Sequence, residues 1–237
     1  MLRRPTTPVD RLCMYGRIDP DLDEGTKQYL ATFYERALDV SDHLRTLSAD
    51  PARVALLVVD VQKVFASQSY FGNPRTEKIS GQIAKLAPRF RQAGVGIYGI
   101  HLTPESMFYR KAADRHKMDF YRFSPDRNHD HIISKRESDA FTSGKLKNTL
   151  KKEGHSHVLV CGFNLSACVA ATMRGAFKHC ASVTLLKDLS CDSGDKVTDK
   201  DHEETLRRSF VTLQEQGGYA CDSAQFLSAV SRTALNA

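Results

Sequence analysis

The chain has 237 residues, which is enough for one large α/β domain with its own hydrophobic core. Apolar residues make up 41% and charged residues 26% of the chain, as in an ordinary globular protein. No run of 18 apolar residues occurs, which argues against a transmembrane helix. The basic N-terminus lacks the apolar stretch of a secretory signal, so we expect a cytoplasmic protein without a membrane partner.

The net charge is +6, from 34 basic and 28 acidic residues. A nucleic-acid-binding protein would concentrate its positive charge in a stripe with interleaved aromatic residues. The densest group of lysines instead fits the solvated face of one helix, and it comprises Lys145, Lys147, Lys151 and Lys152. The charge therefore predicts a mildly basic surface and no nucleic-acid partner, and it is compatible with an anionic small-molecule substrate.

Six cysteines are spread along the chain, and no two of them have the Cys-x-x-Cys spacing of a zinc site. Most of them lie in apolar or strand-like stretches, where free cysteines usually pack. We expect reduced thiols, as in most cytoplasmic proteins.

Residues 1–50 are predicted to form an N-terminal arm ahead of a main domain at residues 51–237. Within the arm, residues 1–20 are irregular and contain three prolines. Residues 23–48 carry apolar side chains at helical spacing, which predicts one long amphipathic helix. This helix is a candidate to pack on the core or on a partner subunit.

From residue 54 onward, apolar strand-like runs alternate with helical patterns. Six strands are predicted, at residues 54–59, 95–101, 132–135, 157–161, 182–186 and 219–221. Helices are predicted between and after them, at residues 76–93, 142–153, 168–179, 200–216 and 223–235. The alternation predicts right-handed βαβ crossovers and a six-stranded parallel sheet covered on both faces, a three-layer α/β/α Rossmann-like fold.

Three reactive side chains stand at the carboxyl ends of predicted strands. Asp60 follows the first strand and Lys135 ends the third, while Cys168 follows the fourth strand where a helix begins. A doubly wound parallel sheet brings such ends together at the edge where ligands bind. The free N–H groups and positive dipole end of the helix, together with the Lys135 charge, would favour a thiolate at Cys168.

The chemistry of these three groups is coherent. An aspartate can take the thiol proton and return it to a leaving group, while a lysine stabilises the thiolate by its charge. The cysteine can then attack a carbonyl carbon, and backbone N–H groups can hold the oxyanion. Each residue alone also has an ordinary explanation, as a turn former, a solvated charge or a packed thiol.

Three sequence blocks resemble those of the isochorismatase-like cysteine hydrolase superfamily and occur in the same order. Residues 56–65, LLVVDVQKVF, contain its Asp-x-Gln-x-x-Phe ending. In residues 133–142, ISKRESDAFT, a lysine is followed by Ser138, Ala140 and Phe141. Residues 162–172, GFNLSACVAAT, place Cys-Val-x-x-Thr after a glycine. The later residues 185–192 and His202 also resemble the family pattern.

The resemblance implies a homo-oligomer in which Asp60 is the base, Lys135 the charge stabiliser and Cys168 the nucleophile. It also implies a cis peptide bond between Phe163 and Asn164, which would turn the Asn164 N–H toward the oxyanion. Members with glycine at the nucleophile position hydrolyse the vinyl ether of isochorismate. Cys168 therefore favours hydrolysis of a C–N bond in a small amide, ureide or carbamoyl compound.

The chain departs from the family pattern at two places. Leu165 stands where a threonine is common, which leaves open how the nucleophile loop is braced. After Phe65 the chain lacks the Asp-x-His pattern with which nicotinamidases bind a metal, so we expect a metal-independent enzyme without a cofactor. Two alternatives remain, an isochorismatase-type vinyl-ether hydrolase and a catalytically silent interaction protein that keeps the fold.

Residues 102–130 are rich in aromatic and basic side chains and have no clean periodicity. One interpretation is a surface excursion whose aromatic side chains pack on the core. The other is a lid over the site, in which an arginine or lysine receives an acidic group of the substrate.

Overall fold

The structure, a computed structural model, describes residues 21, 23–27, 40–103 and 115–235. Its central feature is a six-stranded sheet in which every pair of neighbouring strands is parallel, in the order β3-β2-β1-β4-β5-β6. The strands are β1 Val54–Val59, β2 Gly96–Leu102, β3 His131–Lys135, β4 His157–Gly162, β5 Ser182–Ser190 and β6 Tyr219–Cys221. The predicted fold class is confirmed.

Seven named helices accompany the sheet in the described part of the chain. They are α1 Ser41–Ala49, α2 Lys63–Ala66, α3 Pro74–Gln92, α4 Lys145–Lys152, α5 Ala170–Ala176, α6 Asp199–Glu215 and α7 Ser223–Leu235. None of the helices in this part of the chain is long and apolar enough to cross a membrane. The prediction of one continuous helix over residues 23–48 is wrong. Val40 is not helical, and α1 begins only at Ser41. Residues 28–39 lie outside the described residues.

Strand β1 lies in the middle of the sheet, and all six of its residues are buried. Successive side chains of a strand point to opposite faces, so β1 contributes to two apolar layers. Leu56 and Val58 enter one layer, and Leu57 and Val59 enter the other. This burial on both faces explains why β1 is a continuous apolar run rather than an alternating one.

Helix α1 is packed onto the same core. Leu44 and Leu47 are buried in one of the two apolar layers. The buried His43 reaches the sheet, where its Nε2 lies 2.8 Å from Thr184 Oγ1 and its ring stacks on Tyr219 at 3.6 Å. Burial lowers the pKa of His43 to about 4, so this side chain docks as a neutral imidazole.

Gly162, the last residue of β4, is required by both its conformation and its surroundings. Its φ is +115°, and a Cβ atom there would lie 2.0 Å from the carbonyl oxygen of Val59. We predict that Gly162→Ala lowers the free energy of unfolding by more than about 2 kcal/mol, because the backbone of β1 cannot give way. Chemical denaturation followed by circular dichroism would measure the change.

Gly144 provides the matched control for this substitution. Its φ is +70°, but nothing lies within 4 Å of an added Cβ. Gly144→Ala should therefore lower the free energy of unfolding by only about 1 kcal/mol, because alanine is strained in the left-handed conformation. Equal losses in the two variants would contradict the role given to the close approach of β1 and β4.

Candidate functional site

Asp60, Lys135 and Cys168 meet at the carboxyl edge of the sheet. Asp60 directly follows β1, Lys135 is the last residue of β3, and Cys168 lies in a π-helical turn, Leu165–Val169, after β4. The Nζ atom of Lys135 lies 2.8 Å from Oδ2 of Asp60, and both side chains interact with the Cys168 thiol. The long lysine side chain spans the end of β2, which separates β1 from β3 in the sheet.

Asp60 is held in place by its own backbone. It has a φ of +51°, and its N–H donates to the carbonyl oxygen of Ile100 in β2 at 2.9 Å. Its side chain is completely buried, and this burial raises the pKa of the carboxyl group. Lys135, the Cys168 thiol and His101 act in the opposite direction but do not outweigh the burial.

Lys135 carries a buried ammonium group with three oxygen neighbours. Besides Asp60, its Nζ donates to the carbonyl oxygens of Glu137 at 3.0 Å and Ser138 at 3.2 Å. Three acceptors match the three hydrogens of an ammonium group, which compensates for its removal from water. The loop after β3 therefore supplies two neutral acceptors for Lys135, and Asp60 supplies the negative charge.

The carboxylate of Asp60 retains acceptor capacity. Apart from the close Nζ of Lys135, no described group donates a hydrogen bond of regular geometry to either of its oxygens. Lys135 supports it by charge at short range, and the thiol of Cys168 is the remaining polar neighbour that holds a transferable proton. Asp60 is thus placed to accept that proton.

The expectation of a ready thiolate at Cys168 is wrong. The residue is only 7% exposed, and burial together with the negative charge of Asp60 raises the pKa of its thiol to about 11. Lys135 lowers this pKa but does not reverse the shift. The cysteine is also the fourth residue of its turn rather than the first, and the N–H groups at the start of the turn donate to other acceptors. The raised pKa favours the protonated thiol over the thiolate.

The loop that follows β5 braces the start of the nucleophile turn. The N–H of Leu165 donates to the carbonyl oxygen of Cys191 at 3.1 Å, and the N–H of Ser166 donates to Oδ1 of Asp192 at 2.8 Å. The side-chain oxygen of Asn164 accepts from the N–H of Ser193 at 2.6 Å. Leu165 itself is buried in an apolar layer. The bracing thus needs no hydroxyl at residue 165, and sequence reasoning did not single out Asp192 or Ser193 for it.

The peptide bond between Phe163 and Asn164 is cis, as predicted. The N–H groups of Leu165, Ser166 and Ala167 all donate to acceptors in the described chain. The N–H of Asn164 has no such acceptor among the described residues. It is therefore available to a ligand, although its role as an oxyanion donor stays a prediction.

Two further motif residues tie the site together, and neither had an assigned role. The fully buried Gln62 donates from Nε2 to the carbonyl oxygens of Leu102 and Met118, and its Oε1 accepts from the N–H of Leu102 at 2.9 Å. Thr172, in the helix after the nucleophile, accepts the N–H of Ala140 at 3.3 Å. Gln62 thus fixes the end of β2. Thr172 links the helix after Cys168 to the loop after Lys135.

Histidines near the site do not form a metal centre in the described chain, where no three histidine, cysteine or acidic residues are grouped closely enough. His101 lies beside the Asp60–Lys135 pair, and its Nε2 is 2.7 Å from Ser134 Oγ. His202 lies in α6, outside the trio, and its Nδ1 is buried without a partner among the described residues.

The segment 102–130 is described only in part. Phe123 is 1% exposed and Phe120 packs against the same apolar layer, which agrees with aromatic side chains packed on the core. Tyr121 is also described, and its hydroxyl donates to Oε1 of Glu77 at 3.0 Å. Other aromatic and basic residues of the proposed lid, Phe108, Tyr109, Arg110 and Lys111, fall in residues 104–114, outside the described residues. The lid stays a prediction. Lys135 lines a cleft of about 340 Å³ together with Thr103, Ser134, Arg136, Glu137, Thr142 and Ser143.

Replacing Asp60 should make the Cys168 thiol more acidic. Because the charge of Asp60 raises the thiol pKa, Asp60→Asn is expected to shift the pH profile of iodoacetamide alkylation at Cys168 toward lower pH. Mass spectrometry of the alkylated peptides would give the rate at each pH, with Cys168→Ala to assign the product. The exposed Asp195 offers the control, since Asp195→Asn removes a charge that does not act on the thiol. A profile that stays in place in Asp60→Asn would contradict this coupling.

The chain matches known proteins over this same region. The isochorismatase domain model matches residues 54–225. An uncharacterized isochorismatase family protein of Bacillus subtilis, YddQ, is 24% identical over 147 residues, which are 62% of this chain and 82% of that protein. A cysteine hydrolase from Pseudomonas syringae has a similar structure, with a TM-score of 0.65 at 20% identity over 77% of this chain and 94% of that one. For N-carbamoylsarcosine amidase from Thermoplasma acidophilum the TM-score is 0.57 at 18% identity, over 72% and 96% of the two chains. The chain belongs to the isochorismatase family of hydrolases.

Proposed function

We propose that this protein is a cysteine hydrolase that cleaves a C–N bond of a small amide, ureide or carbamoyl compound through an acyl-enzyme on Cys168. The observation that carries the proposal is the contact of one buried thiol with both a carboxylate and an ammonium group. The structural similarity to N-carbamoylsarcosine amidase supports the choice of a C–N bond.

In the first step, Sγ of Cys168 bonds to the carbonyl carbon of the substrate while Asp60 takes the thiol proton. The carbonyl oxygen becomes an oxyanion, and the free N–H of Asn164 is a donor for it. When the oxyanion collapses, the C–N bond breaks and the protonated Asp60 returns its proton to the departing nitrogen. Ammonia or an amine leaves, and the acyl group remains on sulfur as a thioester.

In the second half, water attacks the thioester carbon and Asp60 takes a proton from it. The C–S bond breaks, the carboxylic or carbamic acid leaves, and Cys168 regains its proton. The overall reaction consumes one water and restores every protein group. The positive charge of Lys135 stabilises whichever neighbour is negative.

The electrostatics of the site favour this transfer. Before attack the negative charge resides on Asp60, and afterwards it resides on sulfur or on the oxyanion, so the net charge of the buried site does not change. The raised pKa of Asp60 makes this carboxylate a stronger base toward the thiol proton than an ordinary aspartate. Burial therefore opposes a free thiolate at Cys168 but strengthens the base beside it.

A screen for ammonia release across small amides, ureides and carbamoyl compounds would test the activity. For the best substrate, Cys168→Ala, Asp60→Asn and Lys135→Met should each lower kcat/KM by at least about a thousand-fold, because the three groups act as one unit. Cys180→Ala is the matched control, since this half-buried cysteine lies after α5 and should leave turnover unchanged. Full activity in Cys168→Ala would refute the covalent mechanism.

The pH dependence provides a separate test. Asp60 must be ionised to accept the thiol proton, and burial raises its pKa above the ordinary value of a carboxyl group. We therefore expect kcat/KM to fall as the pH decreases through this raised pKa, so that the acid limb lies above the range of an ordinary carboxyl group. An acid limb at or below pH 4 would show that Asp60 is not the base.

A further inference from the structure

The loop of residues 191–194 contacts three consecutive residues at the start of the nucleophile turn. Cys191 accepts the N–H of Leu165, Asp192 accepts the N–H of Ser166, and Ser193 donates to Asn164. The contacts run from Asn164, whose N–H is free, to Ser166, two residues before Cys168. The loop therefore determines where both the nucleophile and the candidate oxyanion donor lie.

The loop is itself fixed from its other side by Asn73. This buried side chain donates from Nδ2 to the carbonyl oxygens of Asp192 at 3.1 Å and Gly194 at 3.0 Å. Its Oδ1 also caps helix α3 by accepting the N–H of Thr76 at 3.0 Å. Asp192 is thus anchored through its backbone, and its side chain is free to hold the turn.

Asp192 makes two hydrogen bonds to one residue of the turn. Its Oδ1 accepts both the N–H and the Oγ hydroxyl of Ser166, each at 2.8 Å. Hydrogen bonds to an ionised carboxylate are stronger than neutral ones, and two of them fix both position and orientation. The N–H of Ser166 is one of the donors at the start of the turn that no intrahelical carbonyl satisfies.

We propose that Asp192 is a positioning residue, which holds the nucleophile turn so that Cys168 Sγ and the Asn164 N–H face the same carbonyl group. The proposal rests on the proposed function, because it concerns the same covalent reaction. Asp192 does not act by setting the thiol pKa, since the charges that act on Cys168 are those of Asp60 and Lys135. Its effect is geometric.

The test measures acylation of Cys168 with p-nitrophenyl acetate as the probe. Sulfur attacks the ester carbonyl, p-nitrophenol leaves, and the burst of colour reports the acylation rate without knowledge of the natural substrate. Asp192→Ala should lower the burst rate about ten- to a hundred-fold, the range expected for a misplaced reacting group. Asp192→Asn keeps an acceptor oxygen and should restore the rate to within about three-fold of the original protein.

Asp195→Ala is the matched control for these variants. Asp195 lies three residues further along the chain, is exposed, and makes no hydrogen bond or ion pair with a described residue. Its burst rate should equal that of the original protein. All rates are compared well below the melting temperature of each variant, so that a loss of stability alone does not lower them.

The pH profile of Cys168 alkylation separates geometry from charge. A positioning role lowers the rate at every pH and leaves the midpoint in place, whereas an electrostatic role moves the midpoint. If Asp192→Ala does not fold, Ser166→Ala removes the hydroxyl donor at an exposed residue and should lower the burst rate about three-fold. An unchanged burst rate in the folded variant, or a shifted midpoint, would overturn the positioning role.

The two proposals fail in different ways. A burst that persists in Cys168→Ala would remove the covalent mechanism, whatever Asp192 does. A burst that disappears in Cys168→Ala but keeps its full rate in Asp192→Ala would remove only the positioning role.

Discussion

The buried contact between Lys135 and Asp60 is the constraint on which the site depends. Each charge is stable without water only because the other is present and the carbonyl oxygens of Glu137 and Ser138 complete the lysine's shell. Removing one partner of such a pair leaves a buried charge uncompensated, at a loss of about 3–5 kcal/mol. The pair also crosses the end of β2, so it requires three neighbouring strands to end at the same level.

The same burial acts on Cys168, the proposed nucleophile. Taking Asp60 and Cys168 out of water raises the pKa of both, and the carboxylate raises that of the thiol further. In the proposed mechanism, Asp60 therefore takes the thiol proton as the bond to the substrate forms. The neighbouring ammonium group would stabilise the negative charge as it moves from carboxylate to sulfur.

The elements that build the fold also build the site. Asn73 begins helix α3 and at the same time holds the loop that braces the nucleophile turn. Gly162 lets β4 approach β1 closely just before the cis peptide bond. Gln62 joins the ends of β1 and β2 through its side chain. Stability and function therefore share residues, and a change at one of them is expected to affect both.

The sequence by itself determined the order of strands and helices, because apolar periodicity is local and each strand ends where a polar residue follows a buried run. It also located Asp60, Lys135 and Cys168 at strand ends, and the family motifs located the cis bond before Asn164. Only the tertiary structure decided that burial and Asp60 raise the thiol pKa and that Asp192 contacts the turn. The physical reason is that burial, charge proximity and contacts between residues far apart in the chain have no signature in local spacing.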